Sequence, residues 1–339
     1  MDAFTSLAQR VRVQLCYAHI FGEAPSVTEL IERCDPGDPA GVERELGALE
    51  AAGKLRRVDG TCRLAGRHLE HASTNGRPTT SLTDARAQQR EILGFLERSS
   101  LVSMLAVSGS LAGEEARPNG RRPADLDLFI ITAPSSLHVI RFVLRGWGIL
   151  QRLRTALGGS ARIALCPNYV TESHFLEVTN ESLFTASDVL RVRVLKGEDE
   201  YRRFLAANAW IARYFPHRAP TTATPGEHRP APLFRSLVNL CCFAALAACS
   251  GLKAALTGRQ WPYALRFRFD RGVSLHRHAQ AGGGYQPQVA RRFEEIHDAL
   301  FGEEHGLREF LFPGTTLTGV LWVGGHAEPP IRQLLGYDA

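Results

Sequence analysis

None of the seven cysteines (Cys16, Cys34, Cys62, Cys166, Cys241, Cys242 and Cys249) stands at CxxC spacing, and no histidine cluster completes a zinc site with them. An odd, scattered set in a chain of 339 residues points to reduced thiols, and so to the cytoplasm. No secretory leader is expected: Asp2 stands where a positive n-region belongs, and no clean cleavage site follows. Charge of one sign is not in large excess. The net charge of +5 is too mild for a uniformly basic nucleic-acid protein, although arginine heavily outnumbers lysine, which suits phosphate binding. Long apolar runs are also scarce. The strongest, residues 236–252 (SLVNLCCFAALAACSGL), falls short of the roughly 20 residues of a spanning helix and is weakened by Asn239, Ser250 and Gly251. A membrane partner is therefore not expected, and this run reads as a buried helix packed on the rest of the protein, with its cysteines as small core hydrophobes.

What is present is ordinary for a globular chain: 44% hydrophobic and 22% charged residues, with length enough for two or three domains. Residues 6–21 carry Leu7, Val11 and Leu15 at helical spacing. Ser26 with Glu29 three residues on reads as a capping box opening a short second helix. Residues 40–52 form a third, with Val42, Leu46 and Leu49 on one face and Gly53 as its stop. Residues 55–64 read as a hairpin turning at Asp59-Gly60. Three helices and a hairpin resemble a winged helix, here residues 1–70. Its third helix exposes Glu43, Glu45 and Glu50 against Arg44 alone, which argues against entry into a DNA groove. A protein-contact or substrate-positioning role is favoured. Nucleic acid is the alternative partner, through Lys54, Arg56, Arg57, Arg63 and Arg67. Residues 71–84, rich in Ser, Thr, Gly and Pro, read as a linker.

The stretch with the most chemistry is residues 107–132. An apolar strand ends at Ser108-Gly109-Ser110, a polar loop follows, and Asp125-Leu126-Asp127-Leu128-Phe129-Ile130-Ile131 resumes a strand. Alternation places Asp125 and Asp127 on one face and turns Leu126 and Leu128 into the core. Two carboxylates so close repel unless a cation joins them, and magnesium held by carboxylates and substrate phosphates suits that geometry. Gly109 and Ser110 supply the tight backbone and the hydroxyl of a phosphate cradle.

Gly109-Ser110 followed by Asp125-Leu126-Asp127 on the next strand resembles the nucleotidyltransferase superfamily that includes DNA polymerase beta and the minimal nucleotidyltransferases. The resemblance covers residues 85–215 and implies an α/β (α+β) chain: a mixed-sheet nucleotidyltransferase core behind the winged helix, then a linker at 216–232 and a helical accessory region at 233–339. It implies Mg2+, in a one- or two-metal site, on Asp125 and Asp127. It implies a nucleoside triphosphate (NTP) on Gly109 and Ser110. Of the loop cations Arg117, Arg121 and Arg122, one could reach the phosphates through its forked donors, and Arg117 is the one expected to. An acceptor hydroxyl would attack and pyrophosphate would leave. Family members carry a third acid on a neighbouring strand. The matching strand here, residues 162–170, has none, and its polar residue is Asn168, placed in the nucleotide site. Glu172 and Glu177 follow in sequence, and Glu177 is the expected substitute ligand. Without a third acid, the alternative is a catalytically degenerate nucleotide-binding protein, or a winged-helix interaction or DNA-binding protein.

Overall fold

A computed structural model describes residues 6–65, 80–113, 125–178, 181–218, 232–257, 273–274, 285–302, 304 and 306–313. The chain is mixed α and β. Its N-terminal unit is α1 (Leu7–Ile20), α2 (Val27–Cys34), α3 (Pro39–Ala51) and the antiparallel hairpin β1 (Leu55–Val58) and β2 (Thr61–Leu64). Each helix starts on a cap: Ser6 accepts from Gln9 N–H, Ser26 and Glu29 form the reciprocal box, and Asp38 accepts from Gly41 N–H with Pro39 at the first turn. The hairpin turns through Asp59 and Gly60, both at positive φ (50° and 74°), the geometry that an Asp-Gly pair adopts most easily. Arg57 of the hairpin lies 2.7 Å from Glu43 and 3.3 Å from Glu50, so the acids of α3 hold one of the basic residues that nucleic acid would need.

The main sheet has five strands: β3 (Val102–Ser108), β4 (Leu126–Thr132), β5 (Leu165–Glu172), β6 (Arg193–Lys196) and β7 (Val273–Ser274), in the order β6-β3-β4-β5-β7. Only β4 and β5 are parallel. A parallel pair needs a crossover, supplied here by α7 (Leu137–Ala156). The strands alternate cleanly. Met104, Ala106, Phe129, Ile131 and Tyr169 join one apolar cluster, while Leu105, Val107, Leu126, Leu128 and Ile130 join the other. The second cluster is roofed by α5 (Arg90–Arg98) and α7. The first runs from α1–α3 across the sheet to α8 (Leu183–Leu190), α9 (Glu198–Ala207), α11 (Tyr285–Phe301) and α12 (Leu307–Leu311). Arg12 of α1 lies over the Phe301 ring of α11, and Gln9 donates to Glu304 beyond it.

Two helical stretches are interrupted, each at a buried amide. Gln89 separates α4 (Leu82–Gln88) from α5; it donates to Ile163 O and accepts from Trp147. Asn208, fully buried, separates α9 from a 3-10 turn at Ala209–Arg213. It accepts from Val178 N–H and donates to Leu176 O, and so anchors the segment after β5.

The apolar run at 236–252 forms α10 (Leu233–Thr257). It packs on α7, and Asn239 explains how: its carbonyl oxygen accepts from the N–H groups of His138 and Val139, while Glu172 accepts from those of Ser136 and Leu137. The open N-terminal donors of α7 are thereby filled. The expected burial of α10 does not hold, because it packs along one side only. Leu233, Phe234 and Leu256 are each more than three-quarters exposed, and Cys241 and Cys249 are exposed. No helix among the described residues is long and apolar enough to cross a membrane.

Candidate functional site

Strand pairing assembles a polar row at one end of the sheet. Ser108, the last residue of β3, lies opposite Asp127 of β4, and Asp127 lies opposite Cys166 of β5. Leu126 and Leu128 are fully buried on the other face, as alternation requires, while Asp125 is exposed at the strand entry and Asp127 is half-buried. The chain leaves β3 through Gly109 at φ +67°, and a Cβ there would lie 2.2 Å from Oδ2 of Asp127. Glycine is required twice over, for the left-handed backbone and for the carboxylate pressed against it. Ser110 then opens a short helix, α6 (Ser110–Gly113). Arg193 of β6 donates to Ala112 O at 2.7 Å, which fixes that helix and brings a guanidinium to the turn.

Asn168 enters the row through a bulge. Pro167 pairs with Leu128 and Tyr169 with Phe129, which leaves Asn168 without a partner on β4. Its amide donates to Ser108 Oγ at 3.2 Å. Asn168 is thus joined to the row as a donor.

Asp127 is under electrostatic load. Burial, then Asp188, then Asp125 push its carboxyl up to about 7, against a hydrogen bond from the Cys166 thiol that lowers it. Cys166 is itself pushed up to about 12, first by burial and then by Asp127, so it holds its proton and acts as a donor rather than a nucleophile. Asp188 is the residue that sequence reasoning missed. It comes from α8, capped by Ser182, where it is the one charged side chain in LFTASDVL. An acid alone in an apolar helix was the available signal.

The other expected residues lie elsewhere. Glu172 pairs with Thr132 at the far end of β4 and caps α7, with His174 Nε2 3.2 Å from its second oxygen. Glu177 follows it and is exposed, and it is not among the groups that shift Asp127. Arg117, Arg121 and Arg122 lie outside the described residues. Among those residues, no group of three or more His, Cys, Asp or Glu side chains stands close enough to hold a metal ion alone. Asp125 and Asp127 instead fit the two-carboxylate share of a magnesium shell completed by substrate phosphates. No protein-family model, curated protein or solved structure matches the chain.

Proposed function

We propose that the chain is a magnesium-dependent nucleotidyltransferase of the cytoplasm, moving a nucleoside monophosphate from an NTP to a hydroxyl of an acceptor. The observation that carries this is Asp127 pressed against the Gly109 turn and repelled by two further carboxylates. Burial first, and then the carboxylates of Asp188 and Asp125, raise the Asp127 carboxyl, and a bound cation would relieve both the desolvation and the repulsion. Magnesium, arriving with the nucleotide, would supply that charge and neutralise the phosphates.

This chain's residues do the positioning. Gly109 and Ser110 line the turn on which the triphosphate rests, Arg193 stands at its side, and Asn168 with Ser108 closes the row. Asp125 and Asp127 would hold the cation, which would supply charge neutralisation at the phosphates. Asp188 takes the place of the third acid that β5 lacks, and accepts the proton of the attacking hydroxyl. The acceptor oxygen bonds to the α-phosphorus, the bond to the bridging oxygen breaks, and pyrophosphate leaves with the electron pair. Seven unpaired cysteines suit a reducing compartment. The N-terminal unit serves as a protein-contact or substrate-positioning module in the winged-helix manner, with Arg57 already held by Glu43 and Glu50.

A second reading, a nucleotide-binding protein without turnover, is favoured by Asn168 on the strand where an acid was expected and by the absence of a three-ligand cluster among the described residues. Calorimetry with each of the four NTPs, with and without magnesium, tests both. Binding that requires magnesium and is lost in Asp127→Ala supports the shared site, whereas equal binding by Asp127→Ala rejects it. Transfer of labelled α-phosphate to any acceptor fraction, with pyrophosphate release, then separates the transferase from the binding protein.

A further inference from the structure

We propose that a cavity between α1, α2, α8 and residues 215–218 seats a single oxyanion group of a small phosphate-bearing molecule. The cavity measures ≈ 100 Å³, and its polar lining is Gln14, Arg33, Ser187, Arg191 and Arg218, all able to donate. Leu190 and Phe215 complete the wall, and no carboxylate lines it. That volume admits one oxyanion and its near waters but not a nucleoside, since pockets for whole ligands start at about 300 Å³.

Two side chains in it are left incomplete. Gln14 is 2% exposed, and its amide nitrogen has no hydrogen-bond partner. A buried polar group without a partner is uncommon and points to a missing acceptor. Arg33 lies 3.6 Å from Glu29, beyond hydrogen-bonding range, and makes no hydrogen bond within the described residues. Its guanidinium is pushed below the usual arginine range, first by burial and then by the neighbouring Arg191, a repulsion that an anion between them would relieve. The other two arginines are already oriented. Arg191 donates to both oxygens of Glu23, one at 2.7 Å, and Arg218 donates to Glu32 at 2.9 Å. Neither glutamate lines the cavity. Donors converging from three guanidinium groups, an amide and a hydroxyl outnumber the two oxygens of a carboxylate and suit a phosphate, which offers more oxygens and more charge.

The seat is independent of nucleotide chemistry at Asp127 and stands if that reading fails. The two are still neighbours, because Ser187 belongs to the helix that carries Asp188, Arg191 caps the end of that helix, and Arg191 lies in the field of that carboxylate.

The test is titration calorimetry and thermal melting of the full chain with inorganic phosphate, glycerol phosphate and acetate at constant ionic strength. Phosphate should bind and raise the melting temperature, and acetate should not. Tighter binding of glycerol phosphate identifies a monoester as the ligand, and equal binding identifies free phosphate. Arg33→Gln should weaken phosphate binding by about tenfold or more. Gln14→Glu should abolish it without lowering the ligand-free melting temperature, because the new carboxylate takes the anion's place among the arginines. Asp127→Asn should bind phosphate as the wild type does. The proposal is overturned if the wild type binds no phosphate, if both cavity variants bind it unchanged, or if Gln14→Glu melts below the wild type.

Discussion

Helix α8 separates two polar clusters of opposite sign, and they are built differently. On one side Asp188 adds a third carboxylate to Asp125 and Asp127. On the other, Ser187 and Arg191 face a cavity shared with Arg33 and Arg218. The acidic row is fixed by strand pairing, and among the described residues Asp127 takes a hydrogen bond from a thiol but has no cation. Each arginine of the basic cluster comes with a glutamate: Arg33 with Glu29, Arg191 with Glu23, Arg218 with Glu32. One cluster is therefore far from neutral without a ligand, and the other is close to it. The acidic row should depend strongly on its cation, while the basic cavity should hold its anion with modest affinity.

The contrast is broken most directly at Asp127. Removing that carboxylate in Asp127→Ala should lower magnesium-dependent nucleotidyl transfer by about a thousandfold, measured with labelled NTP, because a preorganised charge at the reacting centre is lost. Next comes Gly109→Ala. Its added methyl strains a left-handed backbone and collides with Asp127, so nucleotide binding should be lost and stability should fall by roughly 1–3 kcal/mol in urea unfolding.

A smaller effect reports on the electrostatics alone. Asp127 is raised in the folded state, from 3.8 to about 7, so folding favours its protonated form. Ligand-free stability from this group is present at low pH and is lost as pH rises through about 7. Asp127→Asn, which cannot ionise, should thus be more stable than the wild type at pH 8 by on the order of 3 kcal/mol, with no difference near pH 4. Melting curves across that range measure it, and magnesium with an NTP should narrow the gap. The smallest effect is expected at Arg57→Ala: about 0.5–1 kcal/mol of stability, since its pairs with Glu43 and Glu50 are partly exposed, and an unchanged mobility shift with duplex DNA.

The acidic row was legible because it obeys local rules. A period of two put Leu126 and Leu128 inside with Asp125 and Asp127 on the opposite face, and Gly109 ended its strand where a left-handed turn was needed. The capping box at Ser26 and the Asp59-Gly60 hairpin were readable for the same reason. Asp188 was not, because it reaches Asp127 from about sixty residues downstream and only tertiary packing puts it there. The bulge at Asn168 was hidden because register belongs to two strands at once. Gln89 and Asn208 look like ordinary helix-interior amides in sequence, and only their distant backbone partners account for the breaks. The cavity of Gln14 and Arg33 draws on four separate segments and has no linear signature.

The packing of α1 against α11 has a consequence in time. These helices lie about 280 residues apart, and Phe293, Ile296 and Leu311 belong to the same apolar cluster as Val11, Leu15 and Leu30. At roughly 5–20 residues per second on the ribosome, the apolar flank of α1 waits on the order of tens of seconds for the segment that covers it. Residues made early are thus among the last to be covered, and over that interval the apolar flank of α1 stays without its partner helix.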